Sequence, residues 1–177
     1  GYIKNSNKTA SNYDLGDFPD GFLQSTRFPG GPGSKHYCIP ASFESYILFY
    51  NKKHVNKYLA GKVPETFDDL ILAAKKVKHS SNGDVMGMVV RGKRTDTAID
   101  TITGVVYNAW GERNVSYPQN IWFEGDWNRP QMDHPAIQRG LSQYAGLMSA
   151  GPDDVKAYDW DEAGTAFQRG LAAFFVD

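Results

Sequence analysis

One cysteine, Cys38, stands in 177 residues. A lone thiol excludes an internal disulfide, and without a second one a cysteine-based zinc cluster is excluded as well. Cys38 lies in the apolar run Tyr37-Cys38-Ile39, which favours a small buried hydrophobe over a nucleophile. A nucleophile needs a histidine base, and no signature for one is present. Long apolar runs are also lacking: nothing approaches the roughly 18 residues of a membrane span. Nor is there an excess of charge. The net charge of −1 predicts no strong attraction to nucleic acid or an anionic membrane. The first residue is Gly1, not methionine, and no signal peptide is visible, which points to a processed protein or a fragment.

Motifs for common chemistry are missing too. Phe28-Pro29-Gly30-Gly31-Pro32-Gly33-Ser34 has the glycines of a phosphate loop. However, Gly33-Ser34-Lys35 lacks the Gly-Lys-Ser/Thr order, and an extended segment follows it, so it reads as an ordinary loop. Neither Gly-x-Ser-x-Gly nor His-Glu-x-x-His occurs. His36, His54, His79 and His134 show no metal-ligand spacing and read as surface or capping residues. The acidic run from Asp153 to Glu162 lacks the glycine-centred calcium-loop pattern. No cofactor or metal is expected.

What is present is an alternation of strand and helix signals. Tyr37 to Ile39 and Tyr46 to Tyr50 read as strands broken by Pro40, and Lys52 to Leu59 as a short helix closed by Gly61. Thr66 predicts an N-cap, with Asp68 and Asp69 in the first turn, an apolar face of Phe67, Leu70, Ile71, Ala74 and Val77, and Lys75, Lys76 and Lys78 matching the dipole at the other end. Val85 to Val90 reads as a strand covered on both faces, and Arg91 to Arg94 as the turn at its carboxyl end. Asp96 to Trp110 predicts a helix with Ile99, Ile102, Val106 and Trp110 inward. An irregular stretch, 111–131, carries Trp122, Phe123 and Trp127. Asp133 caps a further helix with Pro135 near its start and Ile137, Leu141, Tyr144, Ala145 and Met148 inward. Asp161 to Arg169 is a short helix ended by Gly170, and Leu171 to Val176 a continuous apolar strand. This order predicts an α/β fold with a mainly parallel sheet. A buried-type strand at the very end predicts a natural chain that continues beyond Asp177.

Aromatics are plentiful, at 14%, and many adjoin Gly, Asn or Asp. Arg91 sits at a strand's carboxyl end, where open α/β sheets bind ligands. Its five donors suit vicinal hydroxyls or a carboxylate, although a solvated turn arginine is an equal reading. An indole face packs on a sugar ring or a polyol chain, yet for Trp110 the helical periodicity favours the core. Trp122 and Trp127 carry the same two readings with less support. In Asp159-Trp160-Asp161-Glu162 an aromatic stands among carboxylates. For Asp161 and Glu162 helix capping is the better reading; Asp159 and Trp160 are open to ligand contact. Asp177 is a cleft-facing residue or one leaving the core. Glu44, Asp159 and Asp177 could supply the two carboxylates of a glycosidase, but no spacing singles out a pair.

Together these segments resemble a known family. Tyr37-Cys38-Ile39-Pro40, then Glu44-Ser45 and Ile47-Leu48-Phe49-Tyr50-Asn51-Lys52, are similar to the hinge-crossing segment of family one of the extracellular solute-binding proteins. The usual form there is Tyr-Gly-Ile-Pro, a Glu, and an apolar run ending Tyr-Asn-Lys. Pro64 to Leu70, Arg91-Gly92-Lys93, Trp122-Phe123-Glu124, Gly151-Pro152 and Phe167 to Asp177 resemble later family segments, in order. Within the family the likeness is to sorbitol- and mannitol-type binding proteins of ABC importers. Cys38 replaces the usual Gly, and Glu112 follows Gly111 where a second Gly is common, which bears on ligand identity.

The resemblance implies a type II periplasmic-binding-protein fold. Residues 1–45 would be an amino-lobe remnant and hinge approach, and 46–177 the carboxyl-terminal lobe, returning to the hinge at its end. It implies ligand roles for Glu44, Arg91, Trp110, Trp160 and Asp177. It further implies a sugar or sugar-alcohol ligand, the membrane subunits of an ABC transporter as partners, a monomer, and a periplasmic or membrane-anchored extracellular location. Capture without turnover is the expectation. A carbohydrate hydrolase using paired carboxylates is the alternative.

Overall fold

The computed structural model describes residues 15–28, 33–42, 45–111, 121–123 and 129–177. These residues divide into two compact units, one drawn from 1–44 and 115–131 and the other from 45–114 and 132–177. In the first, a 3-10 turn (Leu15–Asp17) leads to helix α1 (Asp20–Ser25) and a two-strand antiparallel ribbon. The ribbon pairs β1 (Arg27–Phe28) with β2 (Lys35–His36). Thr26 and His36 share a 2.7 Å side-chain hydrogen bond beneath it. The strand expected over 37–39 thus lies two residues earlier. Tyr37 makes one further backbone bond, to the Thr26 carbonyl at 2.9 Å, and the chain then leaves the ribbon. For that reason Cys38 is exposed and not the buried hydrophobe its neighbours suggest: the pairing that would have carried it inward ends just before it.

The second unit holds a three-stranded sheet in the order β3-β5-β4, formed by β3 (Leu48–Tyr50), β4 (Met86–Val89) and β5 (Ala172–Val176). β4 runs parallel to β5, whereas β3 runs antiparallel to it. The sheet is therefore mixed, not mainly parallel, because the segment entering at Tyr46 pairs on the free edge of the last strand. Ile47 and Asp177 extend that pairing with reciprocal backbone bonds of 2.9 and 3.3 Å. All five residues of β5 are buried, as a central strand covered on both faces must be. Met88, Val90, Phe174 and Val176 enter the larger core, while Val89 and Phe175 enter a smaller one built on Ala163 and Ala166. The period of two along each strand thus feeds two layers.

The helices carry clear sequence reasons. Asn51 caps α2 (Lys52–Leu59) by accepting from the Lys53 and His54 amides. Thr66 accepts from the Asp69 amide at 3.1 Å and caps α3 (Phe67–Ser80). α4 (Thr97–Trp110) is capped by Asp96. Its buried residues are Ala98, Thr101, Val105 and Val106. Ile99 is 49% exposed, so the helix is rotated by about one residue from the expected phase. α5 (Pro135–Ser149) is likewise rotated: Ile137, Gly140, Gln143, Tyr144 and Leu147 are buried, while Leu141 and Ala145 face out. Its cap is His134, not Asp133; the ring Nδ1 accepts from the Ala136 amide at 3.2 Å.

Close approach explains these rotations. A Cβ on Gly140 would lie 2.6 Å from the Val106 Cα, and one on Gly87 would lie 1.9 Å from the Ala74 carbonyl oxygen. Backbones meet where side chains are smallest, so α5 turns Gly140 toward Val106 of α4 and swings Leu141 away, while α3 closes on β4 at Gly87. A 3-10 turn (Val155–Ala157) leads to α6 (Trp160–Gln168). There Asp159 and Glu162 form a reciprocal capping box, starting the helix one residue before Asp161. Gly170, at φ +74°, ends it as expected for a left-handed C-cap.

Candidate functional site

The parallel pairing of β4 with β5 sets Val89 opposite Phe175. Arg91 and Asp177 each lie two residues further on, so both leave the sheet at the same level of its carboxyl edge. Arg91 is 9% exposed. Its backbone carbonyl accepts the hydroxyl of Tyr144, which rises from α5. Burial pushes that phenol's pKa up, with the Arg91 charge opposing, so the hydroxyl remains a donor at neutral pH. One terminal nitrogen of Arg91, Nη1, donates to the Thr97 carbonyl at 3.1 Å and lies 3.6 Å from an Asp100 carboxylate oxygen. The other, Nη2, pairs with Asp177 Oδ1.

The second oxygen of Asp177 accepts from Trp160 Nε1 at 3.1 Å. Trp160 opens α6 with its polar edge tied down, yet it remains 57% exposed. Behind it, Asp159 Oδ1 accepts from the Trp160 amide at 2.9 Å, from Thr97 Oγ1 at 2.5 Å and from Thr95 Oγ1 at 3.3 Å. Lys93 Nζ stands 3.6 Å from Asp159 Oδ2. The Thr97 hydrogen bond, then the Trp160 amide, then Thr95 and Lys93 hold the Asp159 carboxyl below its ordinary pKa, against partial desolvation.

Three of the five expected site residues therefore gather: Arg91, Trp160 and Asp177. Trp110 does not join them. Arg91 meets the first residue of α4, and Trp110 is the last of its 14 residues, about 20 Å away along a helix rising ~1.5 Å per residue. There the indole stacks on His134 with centroids 3.9 Å apart and planes 8° from parallel. Glu44 and Trp127 lie outside the described residues. Trp122 belongs to the other unit, where its carbonyl accepts from the Gln131 amide. Among the described residues no three His, Cys, Asp or Glu side chains gather to hold a metal.

Sequence reasoning passed over Thr97, Asp100 and Tyr144. Tyr144 carried a signal, since its periodicity pointed it inward. Thr97 and Asp100 read only as the first turn of a helix, and nothing local marks them as partners of a guanidinium. Chemically, the cluster offers one exposed indole face beside a carboxylate and a guanidinium. Each Asp177 oxygen already holds one donor and keeps lone-pair capacity for another. Such a surface suits a solute with an apolar backbone and several hydroxyls.

A model of the bacterial extracellular solute-binding proteins matches residues 1–177. The chain belongs to that family. Its members are binding proteins, and their architecture, that of the type II periplasmic binding proteins, is the mixed α/β fold seen here. The erythritol/L-threitol-binding protein of Mycolicibacterium smegmatis is 28% identical over 184 residues, covering 99% of this chain and 37% of the relative. A solute-binding protein of Agrobacterium vitis S4 with bound D-mannitol is 26% identical with a TM-score of 0.61, covering 92% of this chain and 38% of that one. The maltose-bound MalE3 of T. maritima has a TM-score of 0.71 at 21% identity, over 94% and 39% of the two chains. This solute-binding protein chain thus spans well under half the length of these relatives.

Proposed function

We propose that this chain supplies the solute-gripping edge of an ABC-importer binding protein that captures a sugar alcohol or sugar without transforming it. The observation carrying this is the convergence of Arg91, Trp160 and Asp177 at the carboxyl edge of the sheet, with Trp160 both fixed and exposed. Trp160 would cover the carbon chain or ring, and Asp177 would accept from hydroxyls through charge-assisted bonds. Two relatives point to acyclic alditols: one is named for erythritol and L-threitol, the other holds D-mannitol. Arg91, already bound to Thr97 and Asp177, serves mainly to hold the carboxylate.

On this reading residues 46–177 build most of the carboxyl-terminal lobe, 1–45 approach it from the other lobe, and solute bridges the two. Closure of the lobes would present the loaded protein to the importer's membrane subunits. The protein would work as a monomer outside the cytoplasmic membrane, free in a periplasm or anchored to the outer surface. Micromolar affinity is about −8 kcal/mol, within reach of a few charge-assisted hydrogen bonds plus one indole face.

Titration calorimetry with erythritol, ribitol, D-mannitol and maltose tests this. At least one solute should bind, and Trp160→Ala and Asp177→Asn should each weaken it about tenfold or more, on the order of 1.4 kcal/mol, while the variants stay folded. Nitrophenyl glycosides incubated with the protein should release no nitrophenol above background. Unchanged affinity in both variants removes the site, and turnover abolished by Asp177→Asn would make the protein a hydrolase.

A further inference from the structure

Five hydrogen bonds close a ring through the site. Arg91 Nη1 donates to the Thr97 carbonyl. Thr97 Oγ1 donates to Asp159 Oδ1. That same oxygen accepts from the Trp160 amide, Trp160 Nε1 donates to Asp177 Oδ2, and Asp177 Oδ1 accepts from Arg91 Nη2. The members come from three separate places in the chain: the turn after β4 and the first residue of α4, the start of α6, and the end of β5. In a closed ring each bond is held at both ends, so removing one loosens both flanking groups.

Four of the five bonds have an obvious local purpose: capping a helix, joining strand ends, tying down the indole or, from Arg91 to the Thr97 carbonyl six residues on, fixing the guanidinium. The bond from Thr97 to Asp159 does not. It spans 62 residues of sequence and caps nothing, because the α4 cap is Asp96. Asp159 itself is poorly suited to hold solute. Its Oδ1 already takes three donors, its Oδ2 faces Lys93, and its side chain is 23% exposed. A carboxylate offers about four lone-pair sites, so little capacity remains.

We propose that Thr97 and Asp159 are positioning residues whose mutual hydrogen bond sets the spacing between the Arg91–Asp177 pair and the Trp160 indole, and thereby the affinity for the solute. The assignment rests on the polyol-binding reading of this site. Asp159 acts through Trp160, which it seats at the helix start, and through Thr97, whose carbonyl fixes the guanidinium. Neither residue needs to touch the solute.

Asp159→Ser separates the two jobs of Asp159. Serine still caps α6 but is too short to reach Thr97. Thr97→Val deletes the same bond from the other side and retains the side-chain shape. Two measurements are made on the whole protein: the Trp160 indole N–H resonance in a nitrogen-15 spectrum, assigned by its loss in Trp160→Phe, and calorimetric affinity for erythritol and D-mannitol. The resonance should shift in Asp159→Ser and in Thr97→Val by the same amount, with the other indole signals in place. Affinity should fall about five- to tenfold in each, and no further in the double variant. Thr97→Ser, which keeps the hydroxyl, should return the resonance to its original position. A resonance unmoved in both single variants overturns the proposal, as does a moved resonance with unchanged affinity, or a double variant whose losses multiply. Should the unaltered protein bind none of the test solutes, the polyol reading fails; a coincident shift in the two variants would still establish the brace.

Discussion

A tryptophan's job here depends on where its edge is tied. Trp160 gives its N–H to Asp177 and leaves its face to solvent, whereas Trp110 lays its face on His134. The sequence offers both as stacking residues, and only their partners separate them. Trp110→Ala should therefore leave polyol affinity within about twofold. It should lower stability by about 0.5–1.5 kcal/mol for the lost ring pair, more if the half-buried indole leaves a cavity. Calorimetry and urea denaturation of that variant check the two halves. A tenfold loss of affinity would return Trp110 to the binding surface.

Between elements, α3 and α5 are joined by Asp68, whose carboxylate accepts from Gln143 Nε2 at 3.0 Å and from Arg139 at 3.0 Å. Those bonds, Gln143 first and Arg139 second, hold the Asp68 carboxyl below its ordinary pKa. The folded pKa is lower than the unfolded one, so the stabilisation is complete above the unfolded value of about 4. It is lost as pH falls through the folded value. The melting temperature of the unaltered protein should exceed that of Asp68→Asn at pH 7, and the gap should narrow as the pH falls below about 4. Adding salt should narrow it at pH 7, since the Arg139 pair is exposed. A gap that widens on acidification would show that Asp68 contributes by some other route. A different helix pair, α4 with α5, keeps Gly140 inside at the crossing, against Val106, and leaves Leu141 outside.

The second unit as a whole is organised around β5. It pairs on both edges, with β3 on one side and β4 on the other, and meets helices on both faces. Phe174 at its centre is fully buried. Phe174→Ala should cost about 3–5 kcal/mol, a large part of the ~5–15 kcal/mol that holds a domain together. Urea unfolding should show a lower midpoint with a single transition; a midpoint shift worth under about 1 kcal/mol would mean that β5 is not the organising strand. The position of β5 also accounts for the site, because its last residue, Asp177, is carried to the sheet edge beside Arg91.

The sequence by itself determined the alternation of strands and helices, the caps at Thr66 and Gly170, and the family likeness. Each of these is written in short-range terms: period, capping side chain, or a run of residues in order. It also placed Arg91 and Asp177 at strand ends. It could not settle the phases of α4 and α5, because a glycine's close approach to a facing backbone outweighs one apolar residue on a helix stripe. Nor could it give β3 its direction or end β2 before Cys38, since both follow from which strand edge is free to pair. The gathering of Thr97, Asp159, Trp160 and Asp177 around Arg91 was decided only by the tertiary structure. The two bonds that bring its parts together, Thr97 to Asp159 and Arg91 to Asp177, span 62 and 86 positions, and hydrogen bonds at that separation leave no local mark in the chain.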